Sequence, residues 1–267
     1  MPCNLGIIGC GKIAYALAKG MVQNSNPWKT IFVNDIDQER VNIFKSEFLA
    51  IEKPLPDLVR ESDVIILAVK PDQANEVFNQ TQGTWNQDKL LVSVMAGVKL
   101  ATLERLTGNF ARVIRVMPNT PCLVNSGITA ISRGSMAVDE DVLLVKELFG
   151  SVGLTVMVEE KLMDAVTAVS GSGPAYIFLV AESMVNAAVN VGLDIGTARS
   201  LVLQTLKGSA LLLENSGKHP AVLREEVCSP AGTTIAGIKC LEEAGIRGAF
   251  FQAIEEAFRR SMELGKN

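Results

Sequence analysis

The sequence predicts an α/β chain in two parts: a doubly wound sheet over residues 1–160, then an all-α domain over 161–267. Three observations predict it. Short apolar runs alternate with helical patterns through the first 160 residues. A glycine-rich turn joins the first of those runs to the first helix. After about Lys161 the runs rich in β-branched residues stop, while helical periodicity and alanine-rich segments continue to the end. With 267 residues, 48% of them hydrophobic and 20% charged, the chain has room for one or two packed domains and is far from a disordered composition.

In chain order, Leu5–Ile8 reads as a strand and Lys12–Val22 as a helix. Thr30–Val33 is a second strand, followed by a helix from about Asp37 to Phe48. Val64–Val69 is apolar throughout and bounded by Asp63 and Lys70, the pattern of a strand buried on both faces of a parallel sheet. Leu90–Val94 and Arg112–Val116 continue the series, and Gly127–Ile131 and Thr155–Val158 extend the sheet. Four helices follow. Pro174–Val191 opens with proline in its first turn, and Thr197–Glu214, Ala231–Glu243 and Arg247–Leu264 come after glycine-containing breaks. The first of the four is interrupted only by Glu182, Ser183, Asn186 and Asn190, so it is apolar on nearly every face and must be buried. A helical unit of about a hundred residues buries such a helix poorly alone, so a partner subunit is expected; packing on the first domain is the alternative.

Composition excludes several function classes. Lys+Arg of 25 against Asp+Glu of 29 gives a net charge of −4, with no basic footprint for nucleic acid. The longest uncharged apolar stretches, Val64–Val69 and Ala175–Ala181, fall short of the roughly 18–20 residues of a membrane helix. No basic segment precedes an apolar run after Met1, so no secretory signal is expected. Cys3, Cys10, Cys122, Cys228 and Cys240 are odd in number and scattered, which argues for a reduced, cytoplasmic protein without disulfides or a zinc site. His219 is the single histidine, read as an exposed loop residue. Metal sites built on histidine pairs are excluded, and no Gly-x-Ser-x-Gly elbow exists to make it the base of a hydrolase.

The chemistry starts at Gly9-Cys10-Gly11-Lys12-Ile13-Ala14, a Gly-x-Gly-x-x-Ala pattern between strand and helix. The first glycine permits the tight turn, the second lets the backbone approach a pyrophosphate, and Ala14 allows close helix–strand packing. The N–H groups at the helix start supply the anion site. This is a dinucleotide-binding, Rossmann-type signature. Asp35 follows Asn34 at the end of the second strand, about where an acidic residue holds a ribose 2′-hydroxyl. No arginine lies within Asn34–Asp37, and Arg40 is the nearest, so local chemistry leans towards NADH; Asp37 also reads as the cap of the next helix. Further candidates follow strand ends, where ligands of such sheets bind: Ala68-Val69-Lys70-Pro71, then Ala96-Gly97, then Met117–Pro121, whose prolines frame Asn119. The helical part adds two small-residue turns before helices, Ser170–Tyr176 and Ser229–Thr234, suited either to an anion or to ordinary capping.

In their order and spacing these segments resemble the pyrroline-5-carboxylate reductase family, over essentially the whole length. Ser170–Tyr176 and Ser229–Thr234 are the specific part of the match. The resemblance implies reduction of 1-pyrroline-5-carboxylate to L-proline, the last step of proline biosynthesis, with NADPH or NADH held by the first domain. It implies a helical dimerisation domain interleaved with that of a second copy, or a larger homo-oligomer such as a decamer. Substrate would sit at the subunit interface, its carboxylate on N–H groups around Ser229, Gly232, Thr233 and Thr234, with Thr234 facing the imine nitrogen as the catalytic group. Glu160 joins the substrate-binding set on the same resemblance. Two residues depart from the family pattern: Ala231 stands at a usual glycine, and Asp35 where many members carry a neutral or basic residue.

The reaction suits the residues available. A cyclic imine is basic enough to arrive protonated, so orientation and fixed dipoles can replace a strong general acid such as histidine. Two other classes share the first-domain pattern. A β-hydroxyacid dehydrogenase would need a helix-borne lysine, for which Lys161 and Lys207 are the candidates, and a dinucleotide sensor would bind cofactor without turnover.

Overall fold

The computed structural model describes residues 3–23 and 28–265; Met1 and Pro2, part of the segment on which the expectation of no secretory signal rests, lie outside them. Two compact units emerge, one of residues 1–172 with 257–267, the other of residues 173–256. The division therefore falls twelve residues later than the 160/161 boundary read from the sequence, and the end of the chain returns to the first unit.

In the first unit the strands are β1 (Asn4–Ile8), β2 (Thr30–Asn34), β3 (Ile51–Glu52), β4 (Val64–Leu67), β5 (Leu90–Ser93), β6 (Arg112–Met117), β7 (Gly127–Arg133) and β8 (Gly153–Met157). Between and after them run α1 (Lys12–Gln23), α2 (Gln38–Phe48), α3 (Leu55–Glu61), α4 (Ala74–Gln80), α5 (Leu100–Leu106), α6 (Asp139–Gly150) and the single turn α7 (Met163–Val166). They form one eight-stranded sheet in the order β3-β2-β1-β4-β5-β6-β7-β8. The order reverses between β1 and β4, and the carboxyl ends of those two strands flank the crevice where such sheets bind ligands.

Side chains alternate across the sheet into two cores, one on each face. Leu5, Ile7, Val33, Ile66, Val92 and Ile114 pack on the first. Ile8, Phe32, Ile65, Leu67, Leu91 and Val113 pack on the second. All four side chains of β4 are buried, as its unbroken apolar run requires. One pairing departs from the parallel series: β7 runs antiparallel to β6. Only residues 118–126 join them, too short a stretch for the crossover a parallel partner needs.

The helical unit contains α8 (Gly173–Asn190), α9 (Ile195–Ser216), α10 (Pro220–Glu226), α11 (Thr233–Glu243) and the start of α12 (Ile246–Leu264). Helix α8 was expected to be buried, yet none of its residues is buried in the single chain, and Phe178 and Leu179 are 65% and 63% exposed. His219 is exposed as expected, but it heads a helix: the Ala221 N–H donates to His219 Nδ1 (3.2 Å), and Pro220 occupies the first helical position. No helix among the described residues is long and apolar enough to cross a membrane.

Candidate active site

Where β1 meets α1, Gly9 closes the turn with φ +95°, and its N–H donates to the Asn34 carbonyl (2.8 Å). A Cβ at Gly9 would lie 2.6 Å from the Ala68 carbonyl oxygen, so both its backbone angle and the close approach of β4 require glycine. Gly11 differs. A Cβ there would meet nothing within 4 Å, so the protein's own packing does not need this glycine. The space it leaves open is what a pyrophosphate needs to approach the backbone. Ala14 is fully buried, as its packing role predicts.

This turn opens on a hollow of about 410 Å³ lined by Gly9, Gly11, Asn34, Asp35, Ala68, Val69 and Lys70, all of them predicted cofactor residues. Cys10 and Lys12 line an adjoining hollow of about 360 Å³ with Gly11 and Tyr15. The structure also brings in residues the sequence reading passed over: Ile36, Gln73 and Arg40 line the first hollow, and Arg40 the second as well. Arg40 was set aside for lying five residues beyond Asp35, yet the first turn of α2 carries it back to the end of β2, where it pairs with Asp37 (3.0 Å). Counting one helical turn from the Asp37 cap, which accepts the N–H groups of Glu39 and Arg40, would have found it.

Asp35 is already engaged. The Cys10 N–H donates to its Oδ2 (2.6 Å) and the Asp37 N–H to its Oδ1 (2.8 Å), so the carboxylate ties the glycine turn to the end of β2. Burial, reinforced by the Asp35 charge, pushes the Cys10 thiol up to about 12 and leaves it un-ionised at neutral pH.

The remaining candidates lie elsewhere. Pro71 begins a short 3₁₀ turn after β4, and Ala96 and Gly97 lie in the loop between β5 and α5. The Asn119 side chain is spent on the protein: Nδ2 donates to the Ser170 carbonyl (3.2 Å), and Oδ1 accepts the Ile128 N–H (3.0 Å). Ser170–Tyr176, expected as a turn opening a helix, runs from the end of a π-helical turn through a bend at Ser172 into α8, which starts at Gly173. Thr167–Gly171 form a π-helical turn leading into α8, and the Ser172 N–H is taken by the Thr167 carbonyl. Pro174, four residues on, has no N–H to give the Ser170 carbonyl, which Asn119 takes instead, and π-turns of this kind are frequent at functional sites. Glu160 lies at the 3₁₀ turn before α7, where its Oε1 accepts the Leu100 N–H and pairs with Arg115 (3.3 Å).

In the helical unit, the Ser229–Thr234 loop closes on itself through the Gly232 N–H to the Ser229 carbonyl (3.0 Å). Ala231 takes the left-handed conformation, φ +56°. Helix α11 then starts at Thr233 with no side chain capping it, which leaves its first-turn N–H groups available to an anion.

Comparison with known proteins decides between the classes left open. A model of the pyrroline-5-carboxylate reductase dimerisation domain matches residues 160–264, and one described as NADP oxidoreductase, coenzyme F420-dependent, matches residues 4–97. The pyrroline-5-carboxylate reductase of Glycine max is 41% identical over 262 residues, 97% of this chain and 95% of that protein. That of Methanosarcina acetivorans is 42% identical over 265 residues, 98% of each. The chain belongs to the pyrroline-5-carboxylate reductase family.

Solved reductases of the family share its fold. The Plasmodium falciparum enzyme, with NADP bound, is 33% identical with a TM-score of 0.89 over 98% of both chains. The Coxiella burnetii enzyme is 31% identical with a TM-score of 0.90 over the whole of both chains. A Rossmann-type domain followed by a helical dimerisation domain is thus the architecture of this reductase, and the exposed apolar face of α8 falls inside the dimerisation match.

Proposed function

We propose that this chain reduces 1-pyrroline-5-carboxylate to L-proline, with a nicotinamide dinucleotide as hydride donor. Family membership supports the substrate. The observation that carries the cofactor is Gly11, a glycine the protein's packing does not require, at the floor of a hollow beside the β1/β4 switch point. Gly9, Gly11 and the start of α1 would hold the pyrophosphate, with Asn34 and Asp35 at the ribose and Ala68–Pro71, Ala96 and Gly97 along the rest of the dinucleotide; Asn119 would meet it through its backbone, since its side chain is bonded to Ser170 and Ile128. When bound, that cofactor supplies the hydride that the imine carbon accepts. NADPH and NADH both suit the hollow. Asp35 sets a negative charge where a 2′-phosphate would lie and favours NADH, whereas Arg40 at the same rim offers that phosphate a partner once it leaves Asp37.

The chain's own residues then have separate tasks. The N–H groups of Gly232, Thr233 and Thr234, with Ser229 beside them, hold the substrate carboxylate at the dipole-positive start of α11. The Thr234 hydroxyl orients the imine N–H and stabilises the geometry in which charge leaves the nitrogen. Glu160 fixes the start of α5 by accepting the Leu100 N–H. Two copies interleave their helical units, which covers the apolar face of α8. Thiols left without disulfides suit the cytoplasm.

Oxidation of NADPH or NADH by the purified protein, followed with 1-pyrroline-5-carboxylate and, in reverse, with a panel of β-hydroxy acids, tests this reading. Turnover of the imine alone is expected. Cofactor binding without turnover would replace it with a sensing role, and hydroxy-acid oxidation with the dehydrogenase.

A further inference from the structure

The loop of residues 94–99, between β5 and α5, contains Ala96 and Gly97, two of the residues assigned to the dinucleotide. Gly97 is buried at φ +77°, and what buries it is the far end of the chain. A Cβ on Gly97 would stand 3.2 Å from the Leu264 Cβ and 3.3 Å from the Gly265 nitrogen. Conversely, a Cβ on Gly265 would stand 2.5 Å from the Gly97 carbonyl oxygen. Backbone thus lies against backbone: Gly265 has no room for a side chain, and at Gly97 the approach is tight and the positive φ strains any other residue.

Two side-chain bonds set this contact in place. Ser261, one turn before the end of α12, is 3% exposed, and its hydroxyl donates to Asp164 Oδ1 (2.7 Å) on α7. Four residues before Asp164, Glu160 Oε1 accepts the Leu100 N–H at the other end of the same loop, and Glu160 is itself steadied by the buried Arg115 guanidinium (3.3 Å). The loop is therefore pinned at residue 97 by the end of α12 and at residue 100 by Glu160. Both pins are anchored in the single turn of residues 160–164.

We infer that the last turn of α12, Ser261–Gly265, is a positioning element of the cofactor site: it holds Ala96 and Gly97 in the conformation that receives the dinucleotide. Ser261 and Gly265 touch no reacting atom and act through the loop. The inference rests on the proposed dinucleotide site.

Four full-length proteins test it: wild type, Ser261→Ala, Ser261→Thr and Gly265→Val. Each is assayed for dinucleotide KM, imine KM and kcat, and for assembly by size-exclusion chromatography. Direct titration of the wild type with NADH and NADPH comes first, because a wild type that binds neither overturns the parent reading and not this one. With binding established, Gly265→Val is expected to raise dinucleotide KM about five- to tenfold and Ser261→Ala about two- to fivefold, with imine KM and assembly unchanged. Ser261→Thr, which keeps the hydroxyl, should restore most of the loss. Should Gly265→Val fail to assemble, the split between the two KM values in Ser261→Ala decides alone. Unchanged dinucleotide KM in Ser261→Ala, or an equal rise in both KM values, would make the last turn ordinary packing and overturn the inference.

Discussion

The sheet unit and the helical unit are built from similarly apolar sequence but dispose of it differently. In the first, every side chain of β4 is buried, and two cores fill the two faces of the sheet. In the second, α8, α10 and α11 bury no residue, and α9 buries only Ala198 and Val202. One unit completes its core within the chain, and the other presents half of one. An apolar helix surface of that kind is the signature of an obligate interface.

The sharpest way to break the comparison is Phe178→Asp. In a solitary chain the substitution would be silent, because Phe178 is 65% exposed. In a dry interface an unpaired carboxylate costs several kcal/mol, so the variant should elute as monomer or aggregate and lose activity by more than about a hundredfold. A soluble, fully assembled and active Phe178→Asp would mean that the face of α8 is not covered.

Cysteine labelling sharpens the same contrast. The Cys10 thiol, buried beside Asp35 and raised to about 12, should alkylate far more slowly than the exposed Cys240. At mildly alkaline pH its thiolate fraction falls on the order of a thousandfold below that of an ordinary cysteine. Time-resolved iodoacetamide labelling read by mass spectrometry measures the ratio, and matched rates would show that the glycine turn opens readily. The direction with pH is fixed: Cys10 should gain reactivity only as pH rises towards 12.

The same contrast explains what the sequence disclosed. Strands with unbroken apolar runs, such as Val64–Leu67, were legible because burial on both faces leaves no position for a polar residue. Helices α3, α4 and α5, of seven residues each, are too short for periodicity to register. The reversal of β7 is written in the length of its connection, a signal that apolar pattern alone does not carry. At the site, Gly9 was read as the tight turn and Gly11 as the approach to a pyrophosphate; the surroundings add that packing demands the first glycine and leaves the second open. Asp35 was read as a ligand by position and Glu160 by resemblance; their hydrogen bonds to Cys10 and Leu100 depend on contacts between distant segments.

In the helical unit, Thr234 is the test of chemistry. Thr234→Ala should lower kcat about ten- to a hundredfold with a smaller change in imine KM, since main-chain N–H groups still hold the carboxylate. Thr233→Ala should be nearly silent. Greater damage from Thr233→Ala would move the role one residue earlier, and no effect of either would leave the loop with carboxylate binding alone.

In the sheet unit, Asp35→Ser tests cofactor choice and should shift the ratio of kcat/KM values towards NADPH about fivefold. The ratio is the readout, because losing one of the bonds to Cys10 and Asp37 loosens the glycine turn for both cofactors alike. An unchanged ratio would assign discrimination to Arg40, which Arg40→Gln then tests by weakening NADPH alone.

The smallest effect contrasts two positions with the same backbone demand. Gly9 in the sheet unit and Ala231 in the helical unit both have positive φ, +95° and +56°, but only the first is glycine. A Cβ in the left-handed region clashes with the neighbouring carbonyl, costing roughly 1 kcal/mol, whereas glycine sits there without strain. Ala231→Gly also frees the unfolded chain, which offsets part of the gain. The net expectation is a stabilisation of up to about 1 kcal/mol, seen as a Tm rise of about 2–4 °C, with kcat within twofold of the parent. Because Ala231 directly precedes the Gly232 cap of α11, a drop in kcat with raised Tm would show that the strain holds the carboxylate-binding N–H groups in register. A lower Tm would show instead that the loop relaxes away from the left-handed conformation once assembled, and that Ala231 is not strained in the working enzyme.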